Sequence, residues 1–128
     1  MGQGATTRVL LVDDDEAFLE SAAAILAADD RLAVVGAARD GAEAVALVEQ
    51  SPPDLVLMDI GMPAVDGVEA TRAIHARLPA MPVVMLTGRT GRAEADAAAE
   101  AGAIGYVQKE ELGSPHFADS LLALLEFS

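Results

Sequence analysis

Three short runs in which every residue is apolar, Val9 to Val12, Leu55 to Met58 and Val83 to Leu86, constrain this chain more than any other feature. A strand with one face in water alternates apolar and polar residues. A run apolar on successive positions is covered on both faces, as in a parallel sheet held between helices. Two weaker runs, Leu32 to Ala38 and Ile104 to Val107, supply a second and a fifth strand. Segments with helical spacing lie between them. Phe18, Ala22, Ile25 and Leu26 fall at i, i+4, i+7 and i+8, and Val45 with Val48 repeats the pattern in the next segment. Val68, Thr71, Ala73 and Ile74 follow less cleanly, and Phe117, Leu121, Leu124 and Leu125 form a clear stripe at the end. This alternation predicts an α/β fold built on a central parallel sheet. The fourth helix, about Gly91 to Ala101, has only alanine at its apolar positions. It is expected to grip the sheet weakly and to be the element that moves.

The length of 128 residues suits one domain, and no repeat, linker or internal boundary divides it. The expectation is a single unit over 1–128 with an ordered core from about 8 to 126, and no output domain. No apolar run approaches the ~20 residues that span a bilayer, and Met1 to Thr7 lack an export signal. The chain has no cysteine, which excludes disulfides and thiolate metal sites. A cytoplasmic location is the expectation. The net charge is −13, with eight dispersed Lys and Arg residues, so the clustered cations that neutralise nucleic-acid phosphates are missing. Direct nucleic-acid binding by this chain is not expected.

Chemistry-bearing residues sit where the apolar runs end. Asp13, Asp14 and Asp15 follow the first run, Asp59 the third and Thr87 the fourth, and Lys109 stands just past the fifth. Ligands of open parallel α/β sheets bind beyond the carboxyl ends of the strands. Crowded carboxylates with neither thiol nor well-placed histidine suit Mg²⁺. An Asp carboxylate is a competent nucleophile toward phosphorus, and phosphoryl transfer needs little beyond that nucleophile and cations on the equatorial oxygens. Lys109 and Mg²⁺ would supply the charge and Thr87 Oγ a hydrogen bond. Taken singly, Lys109 reads as a solvated cation, Thr87 as a strand-end residue and Asp15 as a helix N-cap. For Asp15 the capping role is preferred. The others gain meaning from their joint placement. His75 and His116, away from the strand ends, read as surface residues.

With these residues in view, the chain resembles the receiver domains of two-component response regulators, from Arg8 to about Leu125. Val9-Leu10-Leu11-Val12-Asp13-Asp14 resembles the family's first strand and acidic pair. Pro53 to Pro63 with Asp66-Gly67 resembles the phosphorylation-site segment, and Val83 to Thr87 and Gly102 to Lys109 resemble the segments that carry Thr and Lys. The resemblance implies a doubly wound, CheY-like five-stranded parallel sheet of order 2-1-3-4-5. It implies Asp59 as phosphoacceptor, with Asp14 and Asp59 as direct Mg²⁺ ligands, Asp13 acting through metal-bound water and the Gly61 carbonyl completing the protein ligands. Thr87 and Lys109 would bind phosphoryl oxygens, and Tyr106 would be the switch aromatic that turns inward with Thr87. The donor would be a phosphohistidine on a sensor histidine kinase, or acetyl phosphate. The domain would catalyse only its own phosphorylation and dephosphorylation, so it is not an enzyme in the usual sense. The face of helix four, strand five and helix five would then meet a partner or a second copy of the chain. Asp66 to Arg72 and Val34-Val35-Gly36 are most similar to receivers of the NarL/FixJ/LuxR type, which precede helix-turn-helix domains and regulate transcription.

Some positions depart from the family pattern. Leu19 stands where related receivers often carry Arg, which bears on a surface contact. Gly61 and Gly88 leave the approach to Asp59 open to water, with Arg89 as a counterweight. Two rival readings remain. A haloacid-dehalogenase-like phosphatase would use the first acidic cluster, but Ala17 stands where it needs Thr or Val, and Asp59 goes unexplained. An interaction module with this fold and no phosphorylation would leave the intact site without use.

Overall fold

The computed structural model describes residues 6–60, 67–88 and 92–126. The elements run β1 (Thr7–Val12), α1 (Glu16–Ala27), β2 (Leu32–Ala38), α2 (Gly41–Gln50), β3 (Leu55–Asp59) and α3 (Gly67–Arg77). They continue with β4 (Val83–Thr87), α4 (Arg92–Ala101), β5 (Gly105–Gln108), a 3₁₀ turn (Lys109–Gly113) and α5 (Phe117–Glu126). The strands pair in parallel in the order β2-β1-β3-β4-β5. Strand order reverses between β1 and β3, which opens a crevice at their carboxyl ends.

The successive apolar residues of the central strands feed two cores. Leu11, Leu57 and Leu86 pack with Leu19, Leu26 and Leu121 from α1 and α5 on one face. Val12, Met58 and Met85 pack with Val48 and Ile74 from α2 and α3 on the other. Every residue of β3 and β4 is buried. Burying a Leu or Met side chain is worth roughly 1.5–3 kcal/mol, so the middle of the sheet is the firmest part of the molecule.

Two sequence expectations shift by a residue. Asp15 caps α1 by accepting from Ala17 N at 3.0 Å and Phe18 N at 3.2 Å. From that start, Leu19, Ala22 and Leu26 face the sheet, while Ile25 is 42% exposed and Phe18 half-buried. Leu19 therefore belongs to the core rather than to a surface contact. The fifth strand begins at Gly105, one residue later than the apolar run suggests, because Ile104 N still donates to Val83 O at 2.9 Å ahead of it.

The fourth helix rests on α3 and β5, and of its described side chains only that of Ala101, its last residue, is buried. It ends at Gly102, whose φ of 109° is a conformation that favours glycine. A Cβ there would fall 2.1 Å from His75 Nδ1. His75, expected at the surface, is instead partly buried, and its Nε2 lies 2.8 Å from the Met81 carbonyl. A histidine in the last turn of α3 thus fills the space that the missing side chain of Gly102 leaves. His116 is exposed, as expected.

Candidate functional site

Beyond the carboxyl ends of β1 and β3, Asp13, Asp14 and Asp59 come together with Lys109, which follows β5, and Thr87 ends the adjacent strand β4. Asp13 is fully buried one residue beyond β1. Its amide donates to Ala38 O at 3.0 Å, and its Oδ1 accepts from Asp15 N at 2.8 Å. Its other oxygen, Oδ2, faces Lys109 Nζ at 2.5 Å as an ion pair, off the angle of a good hydrogen bond. Asp59, the last residue of β3, is also buried, with Oδ2 3.7 Å from Lys109 Nζ. Ile60 N donates to Leu86 O at 3.1 Å, which carries the β3–β4 pairing one step past Asp59. A Cβ at Gly67 would sit 2.2 Å from the Asp59 carbonyl oxygen. Only a glycine there lets α3 begin against the strand end.

Asp13, Asp14 and Asp59 each present a carboxylate oxygen, all within 4.8 Å of one another. Trans ligands of an octahedral Mg²⁺ stand roughly 4 Å apart, from bond lengths of about 2.0–2.1 Å. One hard divalent ion therefore reaches the three carboxylates directly or through a bound water. All three are oxygen donors, and Asp14, the exposed member, leaves a path in from solvent. The donor set fits Mg²⁺.

Lys109 opens the 3₁₀ turn, where Gln108 N donates to the Glu111 carboxylate at 2.8 Å. Burial, the largest single influence on the ammonium, pulls its pKa down. The contact with Asp13 and the charges of Asp59, Asp13 and Asp14 outweigh it and leave the pKa above the usual lysine value. The ammonium also lies 4.5 Å from the centroid of the Phe18 ring. Sequence reasoning gave Phe18 a core role and missed this contact, since nothing in the pattern links α1 to a residue beyond β5.

Thr87 closes β4 with its hydroxyl buried, and among the described residues Oγ1 has no hydrogen-bond partner. An unpaired buried hydroxyl is costly. Tyr106, on β5, is 48% exposed. Among the described residues, a Cβ at Gly88 would meet nothing within 4 Å. Gly61 and Arg89, also expected at the site, lie outside the described residues.

Residues 9–115 match the family described as the response regulator receiver domain. The transcriptional regulatory protein DegU of Brevibacillus brevis is 40% identical over 103 residues, covering 80% of this chain and 44% of that protein. A protein-glutamate methylesterase/protein-glutamine glutaminase of Photobacterium profundum is 40% identical over 124 residues, covering 94% and 31%. The chain thus spans less than half the length of these relatives. Among solved structures, a LuxR-family two-component response regulator from Aurantimonas sp. SI85-9A1 superposes with a TM-score of 0.88 at 35% identity, covering 95% of this chain and 86% of that one. The signal receiver domain of the NarL response regulator from Mycobacterium tuberculosis gives 0.85 at 27%, covering 95% and 98%.

Proposed function

The chain belongs to the response regulator receiver domain family, and from that premise we propose that it is a single receiver unit that accepts a phosphoryl group on Asp59. One observation carries the reading. The buried Asp59 carboxylate stands beside Lys109 Nζ and within reach of an ion shared with Asp13 and Asp14, while at the neighbouring strand end Thr87 presents a hydroxyl unpaired among the described residues. No helix among the described residues is long and apolar enough to cross a membrane; a cytoplasmic location for this chain and a sensor histidine kinase as its phosphodonor belong to the same proposal.

The reaction is an in-line displacement. An Asp59 carboxylate oxygen attacks phosphorus as the bond from phosphorus to the donor breaks. That donor atom is the imidazole nitrogen of a phosphohistidine or the acyl oxygen of acetyl phosphate. The bonding electrons leave with it, acetate departing as the anion and imidazole regaining a proton from solvent. Mg²⁺, held by Asp13, Asp14 and Asp59 with the Gly61 carbonyl as a further proposed ligand, offsets the charge on the phosphoryl oxygens when bound. Lys109 turns from Asp13 to a second phosphoryl oxygen, and the Thr87 hydroxyl donates to a third. Water entering beside Gly88 reverses the modification by attacking phosphorus, which releases inorganic phosphate and restores the carboxylate. The chain turns over no other substrate.

The output is a population shift. Once Thr87 is drawn to the phosphoryl group, Tyr106 turns into the space it leaves and α4 moves, changing the α4–β5–α5 face for a partner or a second copy. We place that output in transcription, because LuxR- and NarL-type receivers superpose over most of this chain. A methylesterase output is the second reading, favoured by the relative of that kind at the same identity as DegU.

The test is intact mass after incubation with acetyl phosphate and Mg²⁺. The expected result is a gain of about 80 Da, one phosphoryl group, that requires the metal and is absent in Asp59→Asn. A wild-type protein that gains nothing from acetyl phosphate or from phosphorylated histidine kinases would overturn the reading.

A further inference from the structure

We propose that Phe18 is a positioning residue for phosphoryl transfer, its ring face holding the Lys109 ammonium over the acidic cleft. The proposal rests on the receiver reading and concerns a residue outside the acid, hydroxyl and lysine set.

Lys109 is a long, flexible cation whose head has three donors and a stem with many rotamers. Its side chain is a quarter exposed, so water competes for it. Asp13 Oδ2 at 2.5 Å fixes one side of the ammonium, and Asp59 Oδ2, at 3.7 Å, is beyond hydrogen-bond range. The Phe18 centroid at 4.5 Å lies inside the ~6 Å reach of a cation–π contact.

The backbone that carries the ring is tied to the acids it serves. Asp13 Oδ1 accepts from Asp15 N at 2.8 Å, and Asp15 Oδ1 accepts from Phe18 N at 3.2 Å. The Phe18 ring meets Lys109 Nζ, and Lys109 Nζ returns to Asp13 Oδ2. The circuit closes on one carboxylate, so the start of α1 and the place of the ammonium are fixed together. Placing the ring on residue 18 rather than in the sheet-facing stripe of Leu19, Ala22 and Leu26 gives it this use.

A π face suits a lysine that must move. It attracts the cation without a directional lone pair, so the ammonium can slide from Asp13 toward a group on Asp59 while keeping the contact. A carboxylate or carbonyl in the ring's place would pin it.

The experiment is a series of full-length proteins with phenylalanine 18 bearing one, two or three ring fluorines, which weaken the ring's negative face while nearly keeping its shape. Phe18→Leu completes the series. Phosphorylation by acetyl phosphate at saturating Mg²⁺ is followed by intact mass, and the Lys109 ε-methylene resonances are recorded in the unphosphorylated proteins. The expected result is a stepwise fall in rate with each fluorine, about two- to fivefold over the series, as a partly exposed cation–π contact implies. The ε-methylene resonances should lose their ring-current shift in Phe18→Leu. A flat rate across the fluorinated proteins, with the wild type phosphorylated, overturns the role of the ring alone. A wild type that takes no phosphoryl group overturns the receiver reading and this proposal with it.

Discussion

The ends of β1 and β3, on one side, and Thr87 with α4 and β5, on the other, are built to opposite standards. At the first, Asp13 is buried with its amide and one carboxylate oxygen hydrogen-bonded and its other oxygen on Lys109. The strands behind it feed both cores. At the second, the Thr87 hydroxyl is buried without a partner among the described residues, α4 buries only Ala101 among its described side chains, and Tyr106 is half exposed. A chemical site must be preorganised, because misplacing the reacting groups costs rate. A responding element must have two arrangements of similar free energy. The molecule separates the two requirements, joining them at Thr87 and Lys109.

That contrast can be broken by substitution. The largest effect is expected at Leu57, fully buried in β3. Leu57→Ala should cost about 2–5 kcal/mol of global stability in chemical denaturation, whereas Ala97→Gly in α4 should cost about 1 kcal/mol, the helix-propensity difference. Equal losses would mean that α4 is as firmly built in as β3.

Gly102→Ala should come next, at roughly 2 kcal/mol, because its φ of 109° strains any side chain and the new methyl meets the His75 ring. In the His75→Ala background the penalty should shrink without vanishing, since removing the ring leaves the backbone strain. A double-mutant cycle with no coupling would show that His75 is not what the end of α4 rests against.

Thr87→Val sharpens the comparison because its sign depends on the state. In the unphosphorylated protein, removing an unpaired buried hydroxyl should be neutral or stabilising by about 1 kcal/mol. In the phosphorylated protein the same change should weaken the switch, read as a smaller spectral response of β5. A clear loss of resting stability would reveal a partner for the hydroxyl.

The smallest effect concerns pH. The folded pKa of Lys109 is raised, so its stabilising contribution is complete below the ordinary lysine value of 10.5 and is lost as pH rises through the higher folded value. Wild type should show a shallow loss of stability above pH 10.5 that Lys109→Met lacks. Parallel curves would mean that the ion pair with Asp13 contributes nothing measurable.

The sheet and its polar ends were legible in the sequence because a doubly covered strand writes itself as consecutive apolar residues, and Asp59, Thr87 and Lys109 stand at the ends of such runs. Single-residue phase was less legible. A helical stripe through Phe18 and Ile25 looks as good as one through Leu19 and Leu26 until Asp15 fixes where α1 begins. Contacts between distant segments were not legible at all. His75 against Gly102 and Phe18 against Lys109 depend on how three elements meet, which no local spacing records.

The most direct test of the account is amide hydrogen exchange, residue by residue, before and after phosphorylation. The prediction is that protection changes concentrate between Thr87 and Gln108, α4 included, while β1 and the interior of β3 keep theirs. Changes spread evenly over the sheet, or confined to the ends of β1 and β3, would contradict the division between a fixed chemical site and a responding element.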